Sequence, residues 1–258
     1  MTTKARSIAM IPARLGSKRV PKKNLRMLGD KPLMAHVLET ACASGLFEAV
    51  YVNSEAEILE RLARSYGAKF YRRPAELASD SATNDQFALD FMNAVPCDVL
   101  VQVNPTSPFL TIDDLRRANA LFEKEGADTV LSVKELRVEG VFRGAPINFA
   151  PTQQMPPSQQ LEPIYVFCNG ILAWRTEVFR RNMARHGCAV YGGEDRTRYC
   201  VLTGAGTIDI DSDQDFASAE VVLARGKQVK VPVRYWDAVE TLVGGSGPAP
   251  APSSGRAV

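Results

Sequence analysis

Two segments of opposite charge contain the residue types in this sequence that could do chemistry. Residues 14–31 carry seven basic side chains and one acidic side chain, which gives this window a formal charge of +6. Residues 199–224 carry five acidic side chains and no basic one. A basic loop and a carboxylate pair brought together suit a polyphosphate with Mg²⁺, because cations neutralise phosphate oxygens and carboxylates bind the metal. The net charge of +2 is therefore a sum of opposite regions.

The basic segment begins with ARLGSKRVPKKN at residues 13–24, here called the basic loop. Its Gly16-Ser17 pair permits a tight turn that presents backbone N–H groups to an anion. The side chains that could surround a triphosphate are Arg14, Lys18 and Lys23. The Walker pattern G-x-x-x-x-G-K-[ST] and the dinucleotide pattern G-x-G-x-x-G are both missing, which argues against those two classes. A solvated basic loop and a nucleic-acid-binding patch remain alternatives, although the second lacks interleaved aromatic residues.

The acidic segment contains IDIDSDQDF at residues 208–216. If residues 206–210 form a strand, alternation places Asp209 and Asp211 on one face about 7 Å apart, close enough to share a cation. Oxygen ligands without histidine or cysteine favour Mg²⁺ over zinc. The acids that follow Ser212 are typical of the first turn of a helix and are therefore not expected to be ligands. An ordinary solvated strand end is the alternative.

Composition excludes several other classes. With 45% hydrophobic and 23% charged residues, the sequence is that of a globular protein. The balanced charge argues against a protein that coats nucleic acid or an anionic membrane. The five cysteines are widely spaced without a C-x-x-C pair, so we expect reduced thiols in the cytoplasm. There is no apolar run long enough to span a membrane. The presence of only two histidines argues against a histidine-based catalytic triad or a histidine-rich metal site.

The elements that must position these segments alternate in type. A strand at 7–13, a helix at 32–45, a strand at 49–53 and a helix at 55–66 predict parallel strands with crossover helices, which is an α/β fold. Further strands are predicted at 98–103, 128–133, 165–174, 206–210 and 228–233, and further helices at 112–125, 176–186 and 213–225. In open sheets of this kind, ligands bind at the carboxyl ends of the strands. That is where the basic loop begins.

The domain organisation follows from the proline-rich and low-complexity stretches. Residues 1–242 are expected to form a single domain. Residues 138–168 read as an insertion that folds over the site or against a second subunit, because they are too long and too proline-rich for a bare connection. Residues 243–258 contain almost only Gly, Pro, Ser and Ala and are expected to be disordered.

Five motifs occur in a fixed order along the chain. They are IPARLGSKRVPKKN at 11–24, RRPAELASDSAT at 72–83, NPTSPF at 104–109, LEPIYVFCNG at 161–170 and IDIDSDQDF at 208–216. In this combination the chain resembles the N-acylneuraminate cytidylyltransferases, also called CMP-sialic acid synthetases, over roughly residues 7–235. The resemblance implies a Rossmann-like nucleotidyltransferase fold, a homodimer that uses the insertion, and Mg²⁺-dependent transfer of CMP from CTP to a sugar acid with release of pyrophosphate.

The resemblance also assigns roles to residues. Those expected to bind CTP are Arg14, Leu15, Gly16, Ser17, Lys18, Lys23, Asn24 and Arg73. Those expected on the acceptor side are Asn104, Thr106, Ser107, Gln159 and Asn169. Asp209 and Asp211 fall on the metal-binding pair of the family. The catalytic set is Arg14, Lys18, Lys23 and Asp211, consistent with a reaction that depends on positioning and charge neutralisation.

Three departures from the family pattern leave the acceptor open. Asn104 stands where the family has a Gln, and Ser158 stands where an Arg commonly precedes Gln159. The chain also reads Asn53-Ser54-Glu55 where the family reads Ser-Thr-Asp. A nine-carbon acid such as N-acylneuraminate, legionaminate or pseudaminate is the leading acceptor, and Kdo or a small phosphonate is the alternative. A non-catalytic nucleotide-binding regulator is the rival from another class, and nucleic-acid binding ranks last.

Overall fold

A seven-stranded sheet organises the part of the chain that the structure, a computed structural model, describes. That part comprises residues 5–17, 19–193 and 196–226. Lys18, the predicted strand at 228–233 and the predicted tail at 243–258 lie outside it. Residues up to Ala224 cluster into one compact unit, and the 1–242 domain boundary stays a prediction.

The elements alternate much as the sequence indicates. The strands are β1 (Ser7–Pro12), β2 (Met27–Leu28), β3 (Lys31–Pro32), β4 (Ala49–Ser54), β5 (Lys69–Arg72), β6 (Val99–Val103), β7 (Thr129–Leu136), β8 (Val141–Phe142), β9 (Ala145–Pro146), β10 (Ile164–Arg175) and β11 (Thr197–Leu202). The helices are α1 (Leu33–Ala43), α2 (Glu57–Ser65), α3 (Asn84–Ala94), α4 (Ile112–Lys124), α5 (Thr176–His186) and α6 (Asp213–Gly226).

The strand order of the large sheet is β11-β7-β10-β6-β1-β4-β5. Every neighbouring pair is parallel except those made by β10, which runs antiparallel to both β6 and β7. The sheet is therefore mostly parallel, and the predicted α/β class is confirmed. The chain passes from β1 outwards to β4 and β5, then returns to place β6 on the other side of β1. This reversal opens a crevice at the carboxyl ends of β1 and β6.

Helices cover both faces of the sheet. On one face, side chains of α1, α2 and α4 pack against alternate strand residues such as Ile11, Val52 and Val101. On the other face, α3 and α5 enclose a second core around the fully buried Trp174, which makes edge-on contacts with Phe179 and Tyr191. Because strand side chains alternate between faces, apolar residues at successive positions supply both cores.

Several predicted elements differ from the structure. The strand predicted at 206–210 is wrong, since Gly204–Thr207 is a 3₁₀ turn and the following residues are extended coil. The sequence reading left out β5, α3 and β11, together with the two-residue strands β2, β3, β8 and β9. The α3 helix begins at a capping box in which Thr83 and Gln86 bond to each other's backbone, a pattern readable in the sequence.

The predicted insertion contains little regular structure. Residues 138–163 hold only the short hairpin of β8 and β9 and a 3₁₀ turn at Ser158–Gln160. The last residues assigned to the insertion, 164–168, already belong to β10. None of the helices in the described ranges is long and apolar enough to cross a membrane. All five cysteines are unpaired thiols, and a cytoplasmic location stays a prediction.

Candidate active site

The crevice between β1 and β6 contains a cleft of about 490 Å³. The segments that line it follow β1, β5 and β6, together with the start of α3 and the acidic loop before α6. Its lining residues are Pro12, Ala13, Arg14, Gly16, Ser17, Arg19, Lys23, Asn24, Arg73, Asn84, Phe87, Gln102, Asn104, Pro105, Thr106 and Asp211. Four of these side chains are basic and one is acidic. A cleft with this excess of positive charge suits a polyanionic ligand.

Backbone hydrogen bonds hold the basic loop over the end of the sheet. The Ala13 N–H donates to the Asn53 carbonyl at 3.0 Å, and the Leu15 N–H donates to Oε1 of Glu55 at 2.9 Å. Among the loop residues that the structure describes, Lys22 has a left-handed backbone, with φ of 51°, and Gly16 does not. A Cβ built on Gly16 would meet no protein atom within 4 Å. Glycine at position 16 therefore leaves room beside the backbone.

The acidic loop meets the basic loop through two ion pairs. Lys23 Nζ donates to the Ile210 carbonyl at 2.6 Å and to Oδ1 of Asp211 at 3.0 Å. Arg19 lies 3.0 Å from Oδ2 of the same carboxylate. The Lys23 side chain is only 12% exposed, so this pair is much less screened by solvent than the Arg19 contact. The predicted meeting of basic and acidic segments is therefore present in the structure.

Asp209, the second predicted metal ligand, is partly buried beside this contact. Its Oδ1 is buried without a hydrogen-bond partner. Burial raises the pKa of Asp209 above its usual value, and the nearby Asp211 charge acts in the same direction. The Ile210 N–H donates to the Thr106 carbonyl at 2.9 Å, which fixes the loop carrying both carboxylates to the segment after β6.

The donor atoms of this pair are of the kind that Mg²⁺ prefers, although only Asp211 is among the residues that line the cleft. The ion prefers oxygen ligands and keeps waters or substrate phosphates in its remaining positions, so two protein carboxylates suffice. The orphaned Asp209 oxygen is a ligand atom that the protein itself leaves unpaired. The described residues hold no cluster of three or more His, Cys, Asp or Glu side chains that could cage a metal. A site of this composition depends on a phosphate ligand to complete it.

Arg73 is the most buried cation of the cleft, at 5% exposure. Its Nε donates to Oδ1 of Asn53 at 2.8 Å, and its Nη2 donates to the Asn53 carbonyl at 2.7 Å. Its guanidinium stacks over the ring of Phe87, 4.2 Å from the ring centroid. Among the described residues, no carboxylate lies within ion-pair distance of it. Burial lowers the pKa of Arg73 to about 10. The Glu55 and Asp90 carboxylates oppose this lowering from a greater distance. A buried cation without a direct ion pair is stabilised further when a ligand supplies the opposite charge.

Another part of the cleft lining is uncharged and consists of side-chain amides. Gln102 Nε2 donates to Oδ1 of Asn84 at 2.7 Å and to Oδ1 of Asn104 at 2.9 Å. Asn104 Nδ2 donates to the backbone carbonyl of Asn169 at 2.5 Å. Asn169 has a positive φ of 51° and sits in the bulge of β10. We call Asn84, Gln102 and Asn104 the amide wall.

The structure brings together most of the predicted site residues. The cleft is lined by Arg14, Gly16, Ser17, Lys23, Asn24, Arg73, Asn104, Thr106 and Asp211. Leu15 contributes its N–H to Glu55, and Asn169 contributes its carbonyl to Asn104. Ser107 is buried behind the lining, with an unpaired Oγ. Gln159 is exposed in the 3₁₀ turn at Ser158–Gln160 and is not among the lining residues.

Other lining residues had not been predicted. Apart from Pro12, Ala13 and Pro105, these are Arg19, Asn84, Phe87 and Gln102. Asn53 and Glu55 support the site from β4 and its end. Arg19 belongs to the basic loop and could have been included on charge alone. Gln102 lies two residues before Asn104, so the period of a strand places both on one face. Nothing in the sequence marks Asn84 or Phe87, because α3 itself was not predicted.

Replacing Asp209 by Asn is expected to raise the midpoint of thermal unfolding of the metal-free protein at pH 7. A carboxyl whose pKa rises on folding destabilises the folded state above its unfolded pKa of about 3.9. The penalty is absent well below the unfolded pKa, when both states are protonated, and it grows as the pH rises through the folded pKa. Each kcal/mol gained would raise the midpoint by ~2–4 °C. Calorimetry in chelator at pH 7 and pH 4 checks this, and a lower midpoint at pH 7 would contradict it.

Comparison with known proteins identifies the family. The chain matches the cytidylyltransferase family over residues 8–155, more than half of its length, and it belongs to that family. It is 43% identical to an N-acylneuraminate cytidylyltransferase of Escherichia coli over 119 residues, which cover 45% of this chain and 28% of that protein. It is 31% identical to N-acylneuraminate cytidylyltransferase A of Danio rerio over 222 residues, covering 82% of this chain and 49% of that protein.

The fold is shared with solved structures of low sequence identity. CMP:2-keto-3-deoxy-manno-octonic acid synthetase, solved with CTP, superimposes with a TM-score of 0.64 at 16% identity, over 86% of this chain and 100% of that chain. The predicted Rossmann-like nucleotidyltransferase fold is confirmed. The predicted family resemblance is confirmed as well. The chain spans about half the length of the Danio rerio relative and less of the Escherichia coli one.

Proposed function

We propose that this protein is a CTP-dependent cytidylyltransferase that transfers CMP to a hydroxyl group of a sugar acid and releases pyrophosphate. The observation that carries this proposal is the contact between the basic loop and the carboxylate of Asp211 inside a cleft at the switch point of the sheet. Membership of the cytidylyltransferase family supports it. The reaction forms a bond between the acceptor oxygen and the α-phosphorus and breaks the bond from that phosphorus to pyrophosphate.

The cationic side of the cleft suits the triphosphate. Arg14, Arg19 and Lys23 line it from the basic loop, and charge-assisted hydrogen bonds from such groups would hold the departing pyrophosphate. Arg14 lies 3.0 Å from Oδ1 of Asp80, with both groups substantially exposed. That ion pair is weak enough for a phosphate to replace it. Lys18 belongs to the same proposed set by sequence alone.

The cytosine has a candidate partner in Asn24. This residue is 8% exposed, its Nδ2 donates to the Arg14 carbonyl at 3.2 Å, and its Oδ1 is buried without a partner. A cytosine presents an amino donor, which a free amide oxygen can accept. Leaving a buried acceptor unpaired costs free energy, so a base that supplies a donor to Asn24 binds more tightly than a base that does not.

Mg²⁺ is the proposed cofactor, with Asp209 and Asp211 as its protein ligands. When bound, the ion would neutralise phosphate charge and polarise the phosphoryl group that is transferred. The two carboxylates lie on a loop fixed to the segment after β6 and beside Lys23. The chain itself thus contributes the position of these carboxylates, the cations around the triphosphate and the walls that orient the two substrates.

For the acceptor we propose a nine-carbon keto-sugar acid of the N-acylneuraminate, legionaminate or pseudaminate type. The similarity to two N-acylneuraminate cytidylyltransferases supports the first of these. Kdo and a small phosphonate remain alternatives, because Asn104 and Ser158 depart from the family pattern. Asn104 lines the cleft, whereas Ser158 lies in the exposed 3₁₀ turn beside Gln159.

Pyrophosphate release tests this proposal. The purified protein is incubated with CTP, Mg²⁺ and each candidate acid in turn, namely N-acetylneuraminate, legionaminate, pseudaminate, Kdo and phosphonoacetate. Turnover with one acid and with CTP in preference to ATP, GTP and UTP is expected. If no combination of acid and nucleoside triphosphate supports turnover while CTP still binds, the regulator is favoured. Salt-sensitive binding of arbitrary duplex DNA would instead favour the nucleic-acid hypothesis.

A homodimer is part of the proposal, because an apolar surface is concentrated on the insertion. Eight of the twelve exposed large hydrophobic residues of the described chain lie between residues 138 and 167. Val141 and Phe142 of the β8–β9 hairpin are each 64% exposed. A concentration of exposed apolar residues in one segment is typical of an interface, and most soluble homo-oligomers are twofold dimers.

Replacing Phe142 by Glu is expected to convert a dimer into a monomer at micromolar concentration. A charge at the proposed interface would have to be desolvated without a partner. Multi-angle light scattering measures the mass. Ile58→Glu is the control, since Ile58 on α2 is 41% exposed but lies outside the insertion. An unchanged mass for Phe142→Glu, or an equal effect of Ile58→Glu, would argue against this interface.

A further inference from the structure

The amide wall contains a buried hydrogen-bond acceptor that the protein leaves unpaired. Gln102 is 1% exposed, lies on β6 and lines the cleft. Its Oε1 has no hydrogen-bond partner among the described residues. Native proteins pair nearly all such groups, so an unpaired one inside a ligand cleft calls for a specific cause.

The orientation of the three amides is fixed by one backbone group. Asn104 faces the carbonyl oxygen of Asn169 at 2.5 Å, and a carbonyl can only accept. The Asn104 group at that contact must therefore be its NH₂, which leaves its Oδ1 towards Gln102. Gln102 must in turn present its NH₂ to that oxygen, and it does so at 2.9 Å. Exchanging N and O in either amide would bring two acceptors together.

Each amide nitrogen of the wall also donates to a protein group. The second hydrogen of Gln102 Nε2 goes to Oδ1 of Asn84 at 2.7 Å, and Asn84 Nδ2 donates to the hydroxyl of Tyr191 at 3.3 Å. Tyr191 in turn donates to the buried carboxylate of Asp85. Asn104 uses both of its polar atoms within the protein. Gln102 therefore holds the acceptor atom of the wall that is still available.

The position of the wall indicates which substrate this acceptor faces. The cations Arg14, Arg19 and Lys23 lie on the basic loop after β1, whereas Gln102 and Asn104 lie on β6 and just beyond it. The fourth cation, Arg73, stacks on Phe87, one helical turn after Asn84, so only that end of the wall borders a cation. Asn104 is tied to β10, the strand on which the insertion returns to the sheet. An uncharged wall of amides suits the hydroxyl and amide groups of a sugar rather than a triphosphate.

We propose that Gln102 determines acceptor specificity by accepting, through Oε1, a hydrogen bond from a hydroxyl or amide N–H group of the bound sugar acid. This inference rests on the proposed function and deepens it. Asn84 and Asn104 act as positioning residues that hold the Gln102 amide in the required orientation. A sugar acid that lacks the matching donor leaves the buried oxygen unpaired and binds more weakly.

The test compares Gln102→Met with the unaltered protein, both loaded with α,β-methylene-CTP. Calorimetry measures binding of N-acetylneuraminate, Kdo and a series of monodeoxy analogues of the acid that binds. The unaltered protein is expected to bind one deoxy analogue about tenfold more weakly, about 1.4 kcal/mol. Gln102→Met is expected to bind the parent acid about tenfold more weakly and not to distinguish it from that analogue. Its affinity for the nucleotide analogue is expected to be unchanged.

Tyr191→Phe is the control for a general loosening of the wall. It removes the hydroxyl that accepts from Asn84 but leaves Gln102 bonded to Asn84 and Asn104, so acid affinity is expected to stay within about twofold. If Gln102→Met fails to fold, the binding of the monodeoxy analogues to the unaltered protein remains as the test of the inference. The inference is overturned if every monodeoxy analogue binds within twofold of the affinity of the parent acid.

The outcomes separate this inference from the proposed function. Equal acid binding by Gln102→Met and the unaltered protein, with pyrophosphate still released, would overturn the role of Gln102 and leave the proposed function intact. Weaker binding of α,β-methylene-CTP with unchanged acid binding would assign Gln102 to the nucleotide and overturn the inference. A protein that binds none of the acids and releases no pyrophosphate would overturn both.

Discussion

Replacing Asp211 by Asn is expected to lower kcat/KM for pyrophosphate release about 10³-fold, while CTP binding without metal stays the same or tightens. Removing one group that stabilises charge in a transition state typically has an effect of this order. The substitution keeps the shape of the side chain but removes the charge that pairs with Lys23 and Arg19. The cleft then becomes more positive. Calorimetric titration of CTP with and without Mg²⁺, beside the turnover assay, measures both effects.

Asp213→Asn is the matched control for this prediction. Asp213 lies two residues further on, at the start of α6. Its side chain is 71% exposed and forms an ion pair with Arg26. Its loss is expected to change turnover less than about threefold, since exposed ion pairs contribute little. Equal losses in the two variants would point to a general effect of charge in this loop. Unchanged turnover in Asp211→Asn would remove Asp211 from the catalytic set.

The carboxylate pair shows why a prediction can succeed although the element beneath it is wrong. The sequence reading placed Asp209 and Asp211 on a strand because apolar and acidic residues alternate. In the structure, the residues before the pair form a 3₁₀ turn, and the pair lies in extended coil. Extended backbone has the same alternation whether or not it pairs with a sheet. Ile210 is accordingly buried while the flanking carboxylates are only partly buried.

Other parts of the site depend on tertiary contacts that a sequence does not display. The basic loop and the segment after β6 could be found because charge and proline mark them. The amide wall joins α3, β6 and the bulge of β10, and amide side chains occur on most protein surfaces. These amides can be recognised as part of a site only from their burial and from the Asn169 carbonyl that orients them. The same holds for Asn53 and Glu55, whose contacts to Arg73 and Leu15 require the fold.

Replacing Arg73 by Met is expected to weaken CTP binding about 100-fold, about 2.7 kcal/mol. The guanidinium is buried, bonded twice to Asn53 and stacked on Phe87, yet it has no carboxylate partner among the described residues. The Glu55 and Asp90 carboxylates attract this charge only from beyond ion-pair distance, so an anionic nucleotide is the direct partner that the cleft favours. Arg73→Lys is expected to recover only part of the affinity, because a lysine cannot reproduce the planar pair of hydrogen bonds or the stacking.

The neighbouring residue supplies the control for this second prediction. Arg72 is 58% exposed and pairs with Glu60 on α2, so Arg72→Met changes the net charge of the chain as Arg73→Met does, but outside the cleft. CTP affinity in Arg72→Met is expected to stay within about twofold, since the field of an exposed charge is screened by salt. If both variants weaken CTP binding equally, long-range charge rather than the buried guanidinium holds the nucleotide. A loss confined to Arg73→Met, with thermal unfolding showing a folded protein, places the nucleotide beside the ring of Phe87.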